Sequence, residues 1–584
     1  MRARRVSVVL ALLLVLAGVA GCASVPSSSP VQILRQVSAG DDAAPPQGPT
    51  EGLNPLDLVR EFVSASGSST DKHGAARRFL APEAAGWNDA AGITVLDGQL
   101  DTVPAPRSGP GQGTQDAAAD TTTIRIRGTM IGRVNSAGSF EPAQATFTLD
   151  VDVVRRDGQW RISRLPDGVV VPLVTFRDSY RAVRTWFVDP VRRLVVPDLR
   201  YVPTVPARAQ AARVIELLQA GPSSALVGAV GSQIDKSVPL RSNVAVSADG
   251  ALVVDLTRLP DLNEADRRLL AAQIVLSLAE VNVARVRLLV DGEPLLPGKT
   301  DWTRDDVADL SADVQPGADV PALVVAGGRV EELIGLAPAA PLPGPVGNGT
   351  YNAESAASTV DGQRLAVVTR TGDGRTLLVG GGPDRGVTPV ALTAKTMTRP
   401  SWTPTGSEVW TVLNSSVVAR VTVSDQGQTR TGQVNADELT SLGPISDLRL
   451  SRDGVRVAAV VGGGLYTAAV ARGIDGEVAV RNVRRLRPAD LGQVVAADWR
   501  STESIVAITG GTDPQVSEVS VDGLTVTTVP GSNLTPPLTA VAAAPSRPTL
   551  VTDQGGVWSF GGGDQGAWRQ VLGGAPNAVP NYPG

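Results

Sequence analysis

The chain has 584 residues, a formal net charge of −5 and a pI near 5.3. Its length exceeds what one hydrophobic core usually serves, so about two to four domains are expected, and its acidic balance argues against a dedicated nucleic-acid binder. A single cysteine and a single histidine exclude an intramolecular disulfide, a cysteine-based zinc site and most catalytic triads.

A basic cluster and an apolar run open the chain. Arg2, Arg4 and Arg5 precede an apolar stretch over 8–19. This is the layout of an export signal, and the stretch is shorter than the roughly 20 residues that span a membrane. We therefore predict a signal peptide over 1–21. The alternatives are an ordinary signal peptide with a chance cysteine and a retained anchor helix.

The only cysteine, Cys22, directly follows Val19, Ala20 and Gly21. This stretch resembles the bacterial lipobox, in which cleavage falls just before a cysteine that accepts lipid on its thiol. The resemblance implies an S-diacylglycerol cysteine at Cys22, N-acylated as well, with palmitate-like chains. At about 0.8 kcal/mol per buried CH2, such chains form a stable anchor. Residues 22–51 are rich in Ser, Pro, Gly and Ala, which predicts a flexible tether.

Helix signals and then strand signals fill 52–172. Asn54 is a candidate N-cap, and Pro55 suits the first helical position. Over 145–153, apolar residues alternate with polar ones, which predicts a half-buried antiparallel strand. Asp157-Gly158 predicts a tight turn after it. Helices followed by a curved sheet indicate an α+β domain, similar in outline to the NTF2-like cone.

A second α+β unit is predicted over 173–300. The helix "ARAQAARVIELLQAGP" ends in Gly221-Pro222, a helix stop, and Asn263 can cap a later helix. The strands "DGALVVDLT" and "VARVRLLVDG" lie beside these helices in the sequence. This order resembles the GerMN domain of bacterial envelope and spore proteins.

An acidic stretch over 301–320 is predicted to be a solvated linker. It carries four aspartates that suggest calcium: Asp305, Asp306, Asp309 and Asp313. The loop lacks the Asp-x-Asp-x-Asp-Gly spacing and the closing Glu of a calcium loop, so a linker is the favoured interpretation.

A repeated pattern of strand, polar turn and strand fills 321–584. Its turn markers, spaced by 44 to 49 residues, are Asp361, Thr405, Asp453, Thr502 and Arg547. An all-β repeat with a period of about 40–50 residues is typical of propeller blades, which predicts a β-propeller of five or six blades. The strand segment near 322 is a candidate for closing the ring. A β-sandwich with accidental periodicity is the alternative.

Residues with catalytic potential are scarce. His73 is interpreted as a surface or capping residue, and the glycine-rich runs lack the Lys-Ser/Thr and helix of a phosphate loop. We predict no catalytic residue, no metal and no cofactor. Arg177, Arg181 and Arg184 are expected to share a helical face, and "VRRLRPADL" is also basic. A solvated face is the default interpretation of both, and a docking patch for an acidic partner is the alternative.

The order of lipobox, α+β domain, GerMN-like domain and propeller resembles the actinobacterial LpqB lipoproteins, as does the stretch "SYRAVRTWFVDPVRRLVVPDLRYVP". The family implies a non-enzymatic accessory, lipid-anchored on the outer face of the cytoplasmic membrane. Its implied partner is the sensor domain of the histidine kinase MtrB, which acts with the regulator MtrA in envelope homeostasis and cell division. Two alternatives remain: a module that binds cell wall or a ligand through the propeller channel, and an envelope hydrolase or lyase.

Overall fold

The computed structural model describes residues 48–106, 120–206, 209–334, 337–381, 386–513, 515–561 and 566–584. Residues 48–584 form one compact unit. The predicted signal peptide and most of the predicted tether lie outside the described residues. No helix within the described ranges has both the length and the apolar character needed to cross a membrane.

The N-terminal domain packs short helices on a five-stranded sheet of order β4-β3-β2-β1-β5. Its elements are α1 (Pro55–Ala65), α2 (Gly74–Arg77), 3₁₀ turns (Pro82–Ala84 and Asp89–Ala91), β1 (Ile93–Pro104), β2 (Thr121–Val134), β3 (Phe140–Arg156), β4 (Gln159–Arg164) and β5 (Val169–Pro172). Asn54 caps α1 as predicted, because its side chain accepts a hydrogen bond from the Asp57 amide at 3.0 Å. The α+β assignment is confirmed, and the likeness to the NTF2 cone stays a prediction.

A long hairpin joins this domain to the second one. The elements from here to the propeller are α3 (Leu173–Ser179), β6 (Tyr180–Asp189), β7 (Leu194–Pro203), α4 (Gln210–Gln219), β8 (Ala245–Val246), β9 (Leu252–Leu256), α5 (Glu264–Ala279), β10 (Val286–Val290), β11 (Glu293–Pro294) and β12 (Asp301–Trp302). We call β6 and β7 the connector hairpin. The central helix α5 is buried along most of its length, and Asn263 caps it by accepting from the Asp266 amide.

The predicted acidic linker is folded over its first half. Strand β12 pairs with β10, and a 3₁₀ helix follows over Arg304–Leu310. Asp306 closes a capping box with Thr303, and its carboxylate contacts Lys299 at 2.5 Å. Its side chain therefore caps the first turn of this helix. Val307 is fully buried in the core of the GerMN-like domain. A solvated linker was therefore the wrong interpretation for 301–312, because its aspartates cap and pair while its apolar residues pack.

The C-terminal part is a ring of six four-stranded sheets within the described residues. The first sheet combines β13 (Ala322–Ala326), β14 (Arg329–Ile334) and β15 (Ala337–Pro341) with the last strand, β36 (Val579–Asn581). Each of the other five sheets is made of four consecutive strands. The second has β16 (Ala353–Ser358), β17 (Arg364–Thr371), β18 (Gly374–Gly381) and β19 (Val387–Ala394), and the third has β20 (Ser401–Trp402), β21 (Glu408–Leu413), β22 (Val417–Val423) and β23 (Thr429–Gln433). The fourth has β24 (Ile445–Leu450), β25 (Arg456–Val461), β26 (Gly464–Arg472) and β27 (Val478–Arg485), the fifth has β28 (Val494–Trp499), β29 (Ser504–Thr509), β30 (Val516–Ser520) and β31 (Val526–Val529), and the sixth has β32 (Ala540–Ala542), β33 (Thr549–Asp553), β34 (Gly556–Phe560) and β35 (Trp568–Gly573). Helices α6 (Asp437–Thr440) and α7 (Pro488–Leu491) lie between sheets. The β-propeller is therefore confirmed over the β-sandwich.

Two distant strands close the ring. Strand β36 pairs antiparallel with β13 through Leu323↔Asn581, Val324↔Pro580 and Val325↔Val579. The segment near 322 thus lies at the closure, where the sequence placed it. Because the first sheet takes strands from both ends of the propeller, neither end can leave without opening the ring.

All five turn markers lie between the first and second strands of a blade. Gly362, Gly406 and Gly454, which follow three of these markers, have φ values near +70° that favour glycine. Since each blade is an antiparallel meander, its first and third turns share one end of the propeller. We call this the turn end. The second turns and the loops between blades form the opposite end, which we call the loop end.

Candidate functional site: the propeller channel and the domain junction

Cys22 and the lipobox residues Val19, Ala20 and Gly21 lie outside the described residues. Lipidation at Cys22 therefore stays a prediction. No group of three or more His, Cys, Asp or Glu side chains is arranged to hold a metal in the ranges that the structure describes.

His73 is not a surface residue, contrary to the sequence interpretation. It is buried, with a left-handed backbone at φ +56°, and it precedes α2 without a capping hydrogen bond from its side chain. Its Nδ1 lies 3.0 Å from the Ser66 carbonyl oxygen, and its ring meets Trp87 edge-on. Burial lowers the pKa of His73 despite the opposing charge of Asp89. This environment fits a packed, neutral ring at pH 7.

Charged side chains fill the propeller channel. We call Arg399, Asp447, Arg449, Arg452 and Asp498 the channel cluster; each is at most 9% exposed. They lie on or next to the first strands of the blades, which surround the channel. Protein side chains therefore occupy the channel at this level, which gives no support to a ligand that threads it.

Hydrogen bonds from the channel cluster link different blades. Arg399 Nη1 donates to the Val541 carbonyl oxygen at 2.6 Å, and Arg449 Nη1 donates to that of Pro400 at 2.6 Å. Asp498 accepts from Arg449 Nε at 3.2 Å. Burial by itself raises the pKa of Asp498, but the arginines outweigh burial and hold that pKa below its ordinary value. Burial of the Arg452 side chain lowers the pKa of its guanidinium to about 10.

The connector hairpin touches all three domains. Trp186 and Phe187 pack in the core of the GerMN-like domain. Tyr201 packs in the core of the N-terminal domain, and its amide donates to the Gly138 carbonyl oxygen at 2.7 Å. The Tyr201 hydroxyl donates to Asp522 of the propeller at 2.8 Å. Burial, with the Asp522 charge, raises the pKa of Tyr201 well above its ordinary value.

The propeller contacts the hairpin through its turn end. Arg456 donates to the Pro197 carbonyl oxygen, and Arg192 of the hairpin donates to that of Asp453. Leu524 enters the core of the N-terminal domain, while Val455 enters that of the GerMN-like domain. Because these contacts combine buried apolar groups with arginine-to-carbonyl bonds, the domains form one arm.

Four arginines of the two groups from the sequence contact this junction: Arg181, Arg184, Arg484 and Arg487. Arg177 is exposed on α3, whereas Arg181 and Arg184 lie on β6, so a shared helical face was wrong. The short α3 ends at Ser179, and the β-branched and aromatic residues that follow favour the strand. Arg181 donates to the Glu280 carbonyl oxygen at 2.6 Å.

The basic segment "VRRLRPADL" also contacts this chain. Arg484 donates to Ser224 of the GerMN-like domain at 2.6 Å. Arg487 is buried and contacts Asp490 at 2.9 Å and Asp97 of the N-terminal domain at 3.7 Å. Both arginines therefore hold the propeller to the other domains, which excludes a freely solvated face for these two side chains.

A small cavity lies where the three domains meet. Its interior offers about 40 Å³ to the centres of water molecules. Its lining includes Asp198, Arg456, Arg484 and Asp522. Sequence reasoning missed Tyr201, Arg456 and Asp522 as junction residues, and the Asp522-Gly523 turn was the one available signal.

Models of three protein families match consecutive parts of the chain. Residues 48–177 match "Lipoprotein LpqB, N-terminal domain", and residues 335–583 match "Lipoprotein LpqB beta-propeller domain". Residues 184–296 match a domain described as "Sporulation and spore germination".

Relatives named "Lipoprotein LpqB" match along the full length. The protein of Rhodococcus opacus (strain B4) is 33% identical, with 100% of this chain and 99% of the relative covered. That of Mycobacterium tuberculosis (strain CDC 1551 / Oshkosh) is 30% identical, with 97% of each covered. A chain of the crystal structure of a nidogen/laminin complex is 11% identical, with 41% of this chain and 88% of that chain covered and a TM-score of 0.32.

Proposed function

This chain belongs to the lipoprotein LpqB family, and from that premise we propose that it is an exported, membrane-anchored accessory of two-component signalling. It is anchored on the outer face of the cytoplasmic membrane and acts without catalysis. It binds the extracytoplasmic sensor domain of an MtrB-like histidine kinase and thereby modulates signalling in envelope homeostasis and cell division.

The anchor is the lipid on Cys22. The thiol follows Val19, Ala20 and Gly21, and no other cysteine in the chain competes for the modification. A flexible tether of about 30 residues has a mean span of roughly 27–33 Å. The tether therefore keeps the folded arm close to the membrane and raises its effective concentration for a membrane-bound partner.

The observation that carries this proposal is the exposure of loops at one end of the propeller. The turn end holds the connector hairpin through Asp453 and Asp522. At the loop end, the loop that carries Arg487 contacts the N-terminal domain. Another loop of this end bears Leu442, a leucine with 48% of its surface accessible. Exposed loops on a rigid scaffold are common binding surfaces, so we assign the kinase contact to the loop end.

Binding measurements test this assignment. The region 48–584 is titrated with the isolated sensor domain in solution, and the full lipidated chain is then titrated on liposomes that carry the kinase. We expect binding in both settings, with a lower apparent Kd on liposomes because the tether restricts both proteins to one surface. No association on liposomes, with both proteins folded, would refute the kinase partner, and retention by purified cell wall would then support the wall-binding alternative.

A pair of matched variants locates the contact. Leu442→Glu places a charge at the loop end, and Ile474→Glu places one on a fully exposed isoleucine at the turn end. We expect Leu442→Glu to weaken binding at least tenfold, about 1.4 kcal/mol, and Ile474→Glu to leave it unchanged. The reverse pattern would move the contact to the turn end while leaving the kinase partner in place.

A further inference from the structure

One arginine of the connector hairpin serves carboxylates from two domains. Arg184 Nη2 lies 2.7 Å from Glu280 Oε1, at the end of α5 in the GerMN-like domain. Its Nε lies 3.3 Å from Glu503 Oε1, in the turn between β28 and β29 of the propeller. The propeller and the GerMN-like domain therefore compete for the same guanidinium.

Glu503 is the weaker competitor. Its Oε1 atom is buried and makes no hydrogen bond, although it lies near Arg184. Glu280 by contrast accepts a well-formed hydrogen bond from Arg184. A buried carboxylate oxygen without a hydrogen-bond donor costs free energy, since it has left water without gaining a hydrogen bond in return.

The other charged groups near Glu503 do not supply a hydrogen bond to its buried Oε1 atom. The groups that face it are Arg184, Glu280, Arg456, Asp313 and the Tyr201 ring. Arg456 is already bonded to Asp453 and to the Pro197 carbonyl oxygen.

Asp313 adds a third carboxylate to the group. It is half-buried, which raises its pKa, and it interacts electrostatically with Arg184, Asp453, Arg304 and Arg452. The junction thus holds three carboxylates, those of Glu280, Glu503 and Asp313, near the single positive charge of Arg184.

We propose that this cluster makes the contact between the propeller and the connector hairpin sensitive to protons. Protonation of Glu503 removes a half-buried charge whose Oε1 atom has no hydrogen bond, ends its repulsion with Glu280 and Asp313, and tightens the contact. Ionisation of Glu503 loosens it. The proposal concerns the arm itself and does not depend on the identity of the partner.

The direction follows from linkage. Burial raises the pKa of Glu503, and Glu280 and Asp313 add to this against the opposing charge of Arg184. A carboxyl with a raised pKa in the closed junction binds its proton more tightly there than in the open one. The closed state is therefore favoured as the pH falls toward the ordinary range of a Glu carboxyl, and it loses that advantage as the pH rises through the raised value.

The chain is well suited to a direct test. The compact unit 48–584 contains no cysteine, so two introduced thiols carry the only labels. Asp261→Cys, exposed on the GerMN-like domain, and Asp425→Cys, exposed on the propeller, place a dye pair across the junction. Single-molecule energy transfer is recorded at about pH 5 and about pH 8, both above the ordinary pKa of Glu near 4.3.

We expect one narrow distribution of transfer efficiency at about pH 5 and a broader one at about pH 8. Glu503→Gln, which is uncharged at both pH values, should keep the narrow distribution in both. Glu477→Gln, at an exposed propeller carboxylate, should behave like the parent chain. Identical distributions of the parent at both pH values would overturn the proposal, as would a broadening in Glu503→Gln equal to that of the parent.

A second variant serves if Glu503→Gln does not fold. Glu280→Gln leaves Arg184 to Glu503 alone, which removes the competition. We expect the broadening at about pH 8 to be lost in this variant as well. Its persistence would show that the shared arginine does not set the pH response.

Discussion

Cys22 is the one side chain through which this protein is proposed to reach the membrane. Cys22→Ala should abolish lipidation, because the chain holds no other thiol that could accept the diacylglyceryl group. Metabolic labelling with a fatty-acid analogue measures this directly. Ser28→Ala, a neighbouring change outside the lipobox, should keep the label, and label that persists in Cys22→Ala would disprove the anchor.

Asp498 is expected to be a principal determinant of propeller stability. It is buried beside Arg449 and Arg399, so Asp498→Asn leaves buried guanidiniums without their counter-charge. Loss of one partner of a buried ion pair costs about 3–5 kcal/mol, and urea unfolding should show a decrease of this size. Asp425→Asn, at a fully exposed aspartate, is the control and should unfold like the parent.

Asp498 also makes the stability of the propeller depend on pH, in a direction that follows from its lowered pKa. The arginines hold the pKa of Asp498 below its ordinary value against the effect of burial. A carboxyl of this kind stabilises the fold above the ordinary Asp pKa, and the stabilisation is lost as the pH falls through the lowered value. Acid unfolding of Asp498→Asn should therefore lack this contribution. An unchanged acid transition in the variant would show that other carboxyls dominate.

Ring closure depends on the last strand. Tyr582, just after β36, is 2% exposed and packs in the cluster that joins the first and last sheets, and its hydroxyl donates to the Pro548 carbonyl oxygen at 2.7 Å. Tyr582→Ala should cost about 3–5 kcal/mol through the cavity that it leaves. Tyr582→Phe loses only the hydrogen bond, at about 1 kcal/mol.

Thermal or urea unfolding of the two Tyr582 variants separates packing from hydrogen bonding. The propeller should also become sensitive to protease in Tyr582→Ala, because a displaced β36 exposes the edge of β13. Equal stability of the two variants would contradict a packing role for the ring.

Local sequence patterns predicted strands and turns well, but they predicted the surroundings of charged side chains poorly. Asn54 and Asn263 cap helices and the turn markers recur, since these features depend on neighbours within a few residues. Arg184 and Arg487 were expected on solvated faces and instead hold domains together. Their partners lie on distant segments, and a single sequence gives no signal of which segments meet.

Because the three domains pack into one arm, limited proteolysis is expected to cleave the chain at few sites. The acidic stretch is held by its helix up to about residue 312, whereas residues 317–319 are exposed and have no regular secondary structure apart from a turn. Arg547 Nη2 donates to the carbonyl oxygens of Gly317 and Val320 in this part of the chain. A protease that cleaves before aspartate should therefore cut at Asp319 and spare Asp306, whose carboxylate is held in the capping box.

The fragments should stay together after the cut. Arg456 and Leu524 still bind the propeller to the connector hairpin and the N-terminal domain, so both fragments should elute as one species in native size-exclusion chromatography and separate only on a denaturing gel. Arg456→Met removes its hydrogen bond to Pro197 but keeps an unbranched apolar side chain, and it should make the fragments dissociate more readily. Early cuts at Asp305, Asp306 or Asp309 would contradict the packed 3₁₀ helix. Spontaneous separation of the parent fragments would instead show that the junction contacts are too weak to make the three domains one arm.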